Sequence, residues 1–60
     1  MYYFEAHYFN IEDEIEFIRH IKFDGQFFDN EKACYIYAMT KAYEMQEKGE
    51  CLVSVEFIAC

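Results

Sequence analysis

The order of apolar and polar side chains predicts a strand near each end of the chain. Residues 2–9 alternate between two faces, and the expected core face carries Tyr2, Phe4, Ala6 and Tyr8. Residues 51–59 alternate in the same way, with an expected core face of Cys51, Val53, Val55, Phe57 and Ala59. A period of two is typical of strands that are buried on one side. The two segments are therefore predicted to pair in one sheet.

A first helix is predicted over residues 11–20. Asn10 is a suitable N-cap, and the acidic Glu12, Asp13 and Glu14 behind it suit the positive end of a helix. The residues at helical spacing are Ile11, Ile15, Ile18 and Lys22, with Phe17 and Ile21 beside them. The dipeptide Asp24-Gly25 then predicts a hairpin between two very short strands within residues 19–28.

A second helix is predicted before Gly49. Asp29 or Asn30 caps its beginning, Lys48 lies in its last turn, and Gly49 is the expected stop. Its apolar side chains cover an arc of roughly 200°, which is wider than the ~100° that packing on a sheet requires. They are Cys34, Tyr35, Ile36, Ala38, Met39, Ala42, Tyr43 and Met45. One flank of this helix is therefore expected to contact something other than the sheet.

These elements predict an α+β fold in which a small antiparallel sheet carries two helices on one face. Their order is β-α-β-β-α-β, the ferredoxin-like arrangement, or a reduced β-α-α-β version if residues 19–28 form only a loop. The chain has no proline and no serine- or glycine-rich segment. Residues 1–60 are therefore expected to form a single domain.

Aromatic residues exceed what one small core can hold. Of the 60 residues 55% are hydrophobic and 22% aromatic, with seven Phe and six Tyr. A chain of this length buries only about 60% of its unfolded surface. Part of the apolar area is therefore expected at a contact with a protein partner or a second copy. The expected contact residues are Tyr3, Phe9, Leu52 and Ile58 on the outer face of the sheet, with Tyr35 and Tyr43 on the second helix.

A formal net charge of −7 limits the classes of partner. Binding to DNA or RNA requires clustered Lys and Arg, whereas the basic residues are scattered singly: Arg19, Lys22, Lys32, Lys41 and Lys48. Nucleic acid and membranes are therefore expected not to be partners, and a basic protein surface is compatible with the charge. The acidic residues Glu12, Asp13, Glu14 and Glu16 favour a second hypothesis, an inhibitor that imitates nucleic acid and blocks a DNA- or RNA-handling enzyme.

The residues with potential chemistry are Glu5, His7 and Glu56, which are expected on the sheet face opposite the helices. Two carboxylates and an imidazole can bind a divalent metal or share a proton, so a small metal- or proton-handling enzyme is a third hypothesis. Alternating polar side chains are also what the solvated face of a sheet requires. Only Gly25 and Gly49 are available for a phosphate-binding loop, and no cofactor is expected.

Three cysteines, Cys34, Cys51 and Cys60, form neither a CxxC pair nor a zinc-finger spacing. The chain shows no secretory signal pattern and no apolar run near the ~20 residues of a membrane span. A cytoplasmic location with reduced thiols is expected. The leading hypothesis is a non-enzymatic, acidic protein-interaction module that forms a homodimer, of the kind that accessory genes of mobile elements encode.

Overall fold

A computed structural model describes the protein at residues 1–28 and 30–59, and for Phe27 the backbone alone. Its elements in chain order are β1 (Tyr2–Asn10), β2 (Ile15–Phe23), a short 3-10 helix (Gly25–Phe27), α1 (Glu31–Met45) and β3 (Glu50–Ala59). The strands form one antiparallel sheet in the order β2-β1-β3. β1 is therefore central, β2 and β3 are its edges, and α1 packs on one face.

The observed β-β-α-β order shows that both predicted topologies are wrong, because the segment predicted as the first helix forms the strand β2. β2 pairs with β1 along nine residues without a register shift. Tyr8 lies opposite Phe17 and Tyr2 opposite Phe23, and cross-strand aromatic pairs stabilise a sheet by about 0.2–1 kcal/mol each. This pairing outweighs the helical spacing of the isoleucines. One helix, not two, covers the sheet.

Asn10 makes the hydrogen bond expected of an N-cap, but it does so in a turn. Its Oδ1 accepts a hydrogen bond from the Asp13 N–H at 2.9 Å. The chain then reverses, with the Glu14 N–H donating to the Asn10 carbonyl at 2.8 Å, and Glu14 adopts a φ of 56°. Asparagine caps helices and turns through the same bond. The local pattern therefore does not distinguish a helix from a hairpin here.

Glycine at position 14 is expected to stabilise this hairpin. A left-handed conformation costs a non-glycine residue ~1–2 kcal/mol, part of which is offset by the larger entropy of glycine in the unfolded chain. Glu14→Gly should therefore raise the free energy of unfolding by about 0.5–1 kcal/mol. Urea unfolding measures this change. Glu12→Gly, in the same turn but without a positive φ, is the control, and an equal gain there would contradict the conformational explanation.

The hairpin predicted at Asp24-Gly25 is wrong, because β2 continues to Phe23 and a 3-10 helix follows it. Asp24 caps that short helix, with its Oδ1 accepting a hydrogen bond from the Gln26 N–H at 3.0 Å. Gly25 lies against the ring of Tyr2 so closely that a Cβ atom would stand 1.7 Å from Tyr2 Cε2. A glycine is needed for this approach.

The predicted second helix is present as α1. Asn30 is its N-cap and accepts a backbone hydrogen bond at 2.8 Å, while the alternative cap, Asp29, lies outside the described residues. The helix ends at Met45, so the prediction that Lys48 lies in its last turn is wrong. Gly49, with a φ of 88°, serves the turn into β3 instead of the helix end.

α1 packs on the sheet through small side chains. Cys34, Ala38 and Ala42 recur at every fourth position and are buried. The buried residues of the sheet are Phe4, Ala6, Tyr8, Ile21 and Val55, which confirms the predicted core face of β1. A nine-residue strand spans ~30 Å and a fifteen-residue helix ~22 Å. The ends of the strands therefore extend beyond the cover of the helix.

β3 is the predicted strand, but its register is irregular. Its pairing with β1 shifts twice, and Val53 and Ile58 are the extra residues. A bulge interrupts the alternation of faces. Leu52 consequently lies opposite Tyr8 and packs against the core, although it was predicted on the outer face, and Cys51 is exposed, although it was predicted to be buried.

Candidate interaction surfaces

The best-formed polar cluster crosses the helix side of the sheet. Arg19 of β2 donates from Nη1 and Nη2 to the two carboxylate oxygens of Glu50, at 2.6 and 3.0 Å, and Nη2 donates to Glu47 Oε2 at 3.0 Å. The guanidinium also lies over the rings of Tyr8 and Phe17, 4.7 and 4.9 Å from their centroids. Arg19 is thus engaged by the protein's own groups, which indicates a structural role.

These groups also perturb each other's protonation. Hydrogen bonds from Arg19 and then from the Glu47 N–H hold the pKa of Glu50 below its ordinary value. Burial raises the pKa of Tyr8, whose hydroxyl donates to the Ala42 carbonyl at 2.5 Å. That carbonyl is one of the last four of α1, which have no helical partner. Tyr8 therefore stays protonated, and its hydroxyl supplies a hydrogen-bond donor to the last turn of α1.

The predicted set of Glu5, His7 and Glu56 does come together on the outer face of the sheet. The two glutamates lie directly opposite each other on β1 and β3. His7 Nε2 is 3.4 Å from Glu5 Oε1 and 3.2 Å from Glu56 Oε2, and Glu16 of β2 lies 3.9 Å from His7 Nδ1. Nε2 is buried, yet it makes no well-aligned hydrogen bond. A protonated His7 would offset the repulsion between the opposed carboxylates.

No metal centre emerges from this set. Among residues 1–28 and 30–59, no group of three or more His, Cys, Asp or Glu side chains could hold a metal ion. The metal-handling hypothesis therefore has no support from the arrangement of these side chains. A proton-sharing role for Glu5, His7 and Glu56 stays a prediction.

Two of the three cysteines lie in the described part of the chain. Cys34 is a free thiol on the buried side of α1. Cys51 is also a free thiol and is exposed on β3. Cys60 lies outside the described residues.

Large apolar side chains are exposed along α1 and the neighbouring edge strand. They are termed the α1–β3 surface and comprise Tyr35, Ile36, Tyr43, Val53, Phe57 and Ile58, with exposed fractions between 43% and 61%. Tyr35 joins the two elements, because its hydroxyl donates to the Val55 carbonyl at 3.1 Å. The three aromatic members, at roughly 200 Å² per side chain and about half exposed, present on the order of 300 Å² to solvent. An exposed apolar area of this size is often functional.

A pocket of about 320 Å³ opens on this surface. Its lining residues are Tyr2, Phe4, Glu31, Lys32, Cys34, Tyr35 and Phe57. The ring of Phe4 lies 6.0 Å from that of Tyr35 and 5.5 Å from that of Phe57, so aromatic rings form much of the wall. Glu31 and Lys32 are exposed in the first turn of α1. A pocket of this size at the low end of the ligand-site range can accept one large apolar side chain.

The predicted contact residues lie in three different places. Those on the α1–β3 surface are Tyr35, Tyr43 and Ile58. Tyr3, which is 41% exposed, and Phe9, which is half-buried, lie on the outer face of β1. Leu52 faces the core side because of the bulge in β3. The outer face and the α1–β3 surface are therefore separate candidates for contact.

Three members of the α1–β3 surface were not predicted as contacts: Ile36, Val53 and Phe57. Strict alternation assigned Val53 and Phe57 to the core, but in the structure only Val55 between them is buried. The reason is that the first predicted helix, over residues 11–20, does not form, so this part of the sheet lacks cover. The wide apolar arc of α1 was the signal that could have identified Ile36.

Four acidic residues are exposed at and beside the β1–β2 turn: Glu12, Asp13, Glu14 and Glu16. Because no helix begins there, a helix dipole does not account for their position. The hypothesis that they imitate nucleic acid stays a prediction.

Comparison with known proteins offers no relative from which a function can be transferred. The sequence matches no family model, no curated protein and no solved structure. In the part of the chain that the structure describes, no helix has the length and apolar character needed to cross a membrane.

Proposed function

We propose that this chain is a non-enzymatic protein-interaction module that self-associates and binds a further protein through the α1–β3 surface. The observation that carries the proposal is the exposure of six large apolar side chains along one helix and one edge strand of a 60-residue domain. Aromatic residues are preferred anchors at protein interfaces. A stable interface buries ~800 Å² per partner, so these apolar side chains would form its centre and the polar side chains around them its rim.

The partner that fits this surface is a basic protein segment carrying a large apolar side chain. The apolar side chain would enter the pocket between Tyr35 and Phe57. The chain has a net charge of −7, and exposed Glu31 lines the pocket on this surface. Opposite charge on the partner would accelerate association and select against acidic competitors.

Two features support a non-catalytic role. Arg19, Glu47 and Glu50 bind one another beside the core, as a structural cluster does. The group around His7 lies on the open outer face of the sheet, away from the pocket, where polar side chains solvate the sheet. Neither cluster presents a nucleophile beside a base within a cavity.

The double change Ile36→Ser and Tyr43→Ser tests this proposal. Parent and variant serve as baits in lysate of the native host, and quantitative mass spectrometry identifies a protein that only the parent retains. Titration calorimetry with that purified protein should then show at least about tenfold weaker binding by the variant, since loss of an aromatic anchor typically costs ~2 kcal/mol or more. Binding by the parent should weaken as salt rises, as expected for a basic partner.

Ile11→Ser is the matched control, because Ile11 is 57% exposed and Ile36 is 55% exposed. Ile11 lies in the β1–β2 turn, outside the α1–β3 surface, so its replacement should leave binding unchanged. Circular dichroism confirms that each variant is folded. Equal binding by the parent and the double variant would exclude the α1–β3 surface as the contact site. The absence of any protein that the parent retains specifically would also contradict the proposal.

A further inference from the structure

β2 is the regular open edge of the sheet. It pairs with β1 at nine positions without a register shift, and in the described chain no strand pairs with its other side. The opposite edge, β3, is interrupted by two register shifts, and the Tyr35 hydroxyl binds its Val55 carbonyl. Bulges and covering side chains are the usual means of blocking edge-to-edge pairing. β3 has a bulged register and a covering side chain, whereas β2 pairs in one uninterrupted register along its whole length.

The sequence of β2 is complementary to itself in the antiparallel direction. When two copies are aligned about Arg19, Glu16 of each copy lies opposite Lys22 of the other, so that two pairs of opposite charge form on the outer face. On the helix side, apolar residues meet apolar residues: Ile15 opposite Phe23, and Phe17 opposite Ile21. Other antiparallel registers overlap fewer than the nine residues of the strand. The pattern therefore selects one register.

This alignment also covers side chains that a single copy leaves in solvent. Ile15 is 58% exposed and Ile18 is 44% exposed, and the second copy would place Phe23 and His20 beside them. Arg19 lies at the centre, where two guanidinium groups approach each other. Each of them is already compensated by the carboxylates of Glu47 and Glu50, so the centre carries no bare pair of like charges.

We infer that β2 pairs with β2 of a second copy, antiparallel and centred on Arg19, to form a continuous six-stranded sheet with twofold symmetry. The inference deepens the self-association part of the proposed function, on which it rests, and it is independent of the α1–β3 surface. The strand order becomes β3-β1-β2-β2-β1-β3, which leaves the two α1–β3 surfaces at opposite ends of the dimer. The dimer would therefore present two equivalent binding surfaces and gain avidity for a repeated partner.

A charge-exchange experiment tests the pairing by sedimentation equilibrium at micromolar concentration. Glu16→Lys or Lys22→Glu alone places like charges opposite each other at two equivalent positions, so each should raise the dissociation constant of the dimer by at least about tenfold. The variant carrying both changes restores opposite charges. Its dissociation constant should return to within about threefold of the parent value.

Glu12→Lys and Lys48→Glu are the matched controls, because they change the net charge equally at exposed positions outside β2. Both should dimerise as the parent does. As a second measurement, hydrogen exchange of the β2 amides should slow with rising protein concentration in the parent and in the doubly exchanged variant. Protection of the amides of β1 and α1 in the same experiment shows that each variant is folded.

A parent dimer that neither single change weakens, or a doubly exchanged variant that stays dissociated, would overturn the β2 pairing while leaving self-association intact. A parent that is monomeric throughout the concentration range would overturn both self-association and the β2 pairing. In that case binding through the α1–β3 surface would still be decided by the serine variants described above.

Discussion

Phe4→Ala is expected to leave most of the chain unfolded at room temperature. Phe4 is 2% exposed and stacks on Phe23 at 5.7 Å, with the rings of Tyr35 and Phe57 at its edges. Removal of a buried phenylalanine ring costs about 3–5 kcal/mol. A domain of this size has a total stability of about the same size, ~3–5 kcal/mol. A single substitution can therefore lower the free energy of unfolding to about zero.

Circular dichroism and urea unfolding measure this effect. Phe57→Ala is the control, because Phe57 is 51% exposed and its ring removes less surface from water on folding. That variant should remain folded and lose about 1–2 kcal/mol. A cooperative unfolding transition for Phe4→Ala at the same urea concentration as the parent would show that the rings around Phe4 are not the centre of the core.

Glu50→Gln is expected to destabilise the fold at neutral pH and to have little effect in acid. The neutral amide no longer attracts the Arg19 guanidinium, which then lies over Tyr8 and Phe17 with only Glu47 as a carboxylate partner. The pKa of Glu50 is held below its ordinary value by Arg19. Its charge therefore contributes stability above the unfolded-state pKa of about 4.3, and this contribution is lost as the pH falls through the lower folded-state value.

Urea midpoints of the parent and Glu50→Gln measured between neutral pH and acid test this linkage. The two midpoints should differ at neutral pH and converge in acid, as the pH falls through the lowered folded-state pKa of Glu50 and the parent side chain becomes protonated. Glu12→Gln, at an exposed turn position, should follow the parent at every pH. A constant difference between the parent and Glu50→Gln across the range would show that the side chain acts through shape and not through charge.

The single helix has a direct consequence for function. α1 covers the middle of the sheet through Cys34, Ala38 and Ala42, whereas the ends of the strands and the β2 edge lack cover. The exposed residues at these places supply both proposed contacts, one along α1 and β3 and the other along β2. A helix formed by residues 11–20, as the sequence predicted, would have covered part of this surface. The incomplete core and the proposed interaction role thus have the same structural origin.

The strands at the two ends and the helix α1 were predictable because their evidence is local. Alternation in residues 2–9 places Phe4 and Tyr8 on the core face, and Asn30 directly precedes a segment with apolar residues at helical spacing. The segment that became β2 was not predictable in this way, because its apolar residues satisfy a period of 3.6 as well as a period of two. Asn10 added a capping hydrogen bond that suits both structures.

The candidate sites divide in the same manner. Glu5, His7 and Glu56 could be assigned to the outer face because they alternate outward on strands that pair, whereas their proximity follows from the register. The cluster of Arg19 with Glu50 could not be predicted, since it joins residues that are 31 positions apart and depends on Arg19 being in a strand. Val53 and Phe57 were assigned to the core because the alternation of apolar and polar residues shows neither the bulge nor the absence of a second helix.

By itself the sequence determined the terminal strands, the capped helix, the acidic charge and an excess of aromatic side chains over what a small core can bury. Only the tertiary structure decided that residues 15–23 are a strand, that β3 is bulged and that β2 is the open edge of the sheet. The physical reason is that strand pairing and cover by α1 draw their free energy from contacts distant in sequence. The periodicity of apolar residues within one segment contains no information about those contacts.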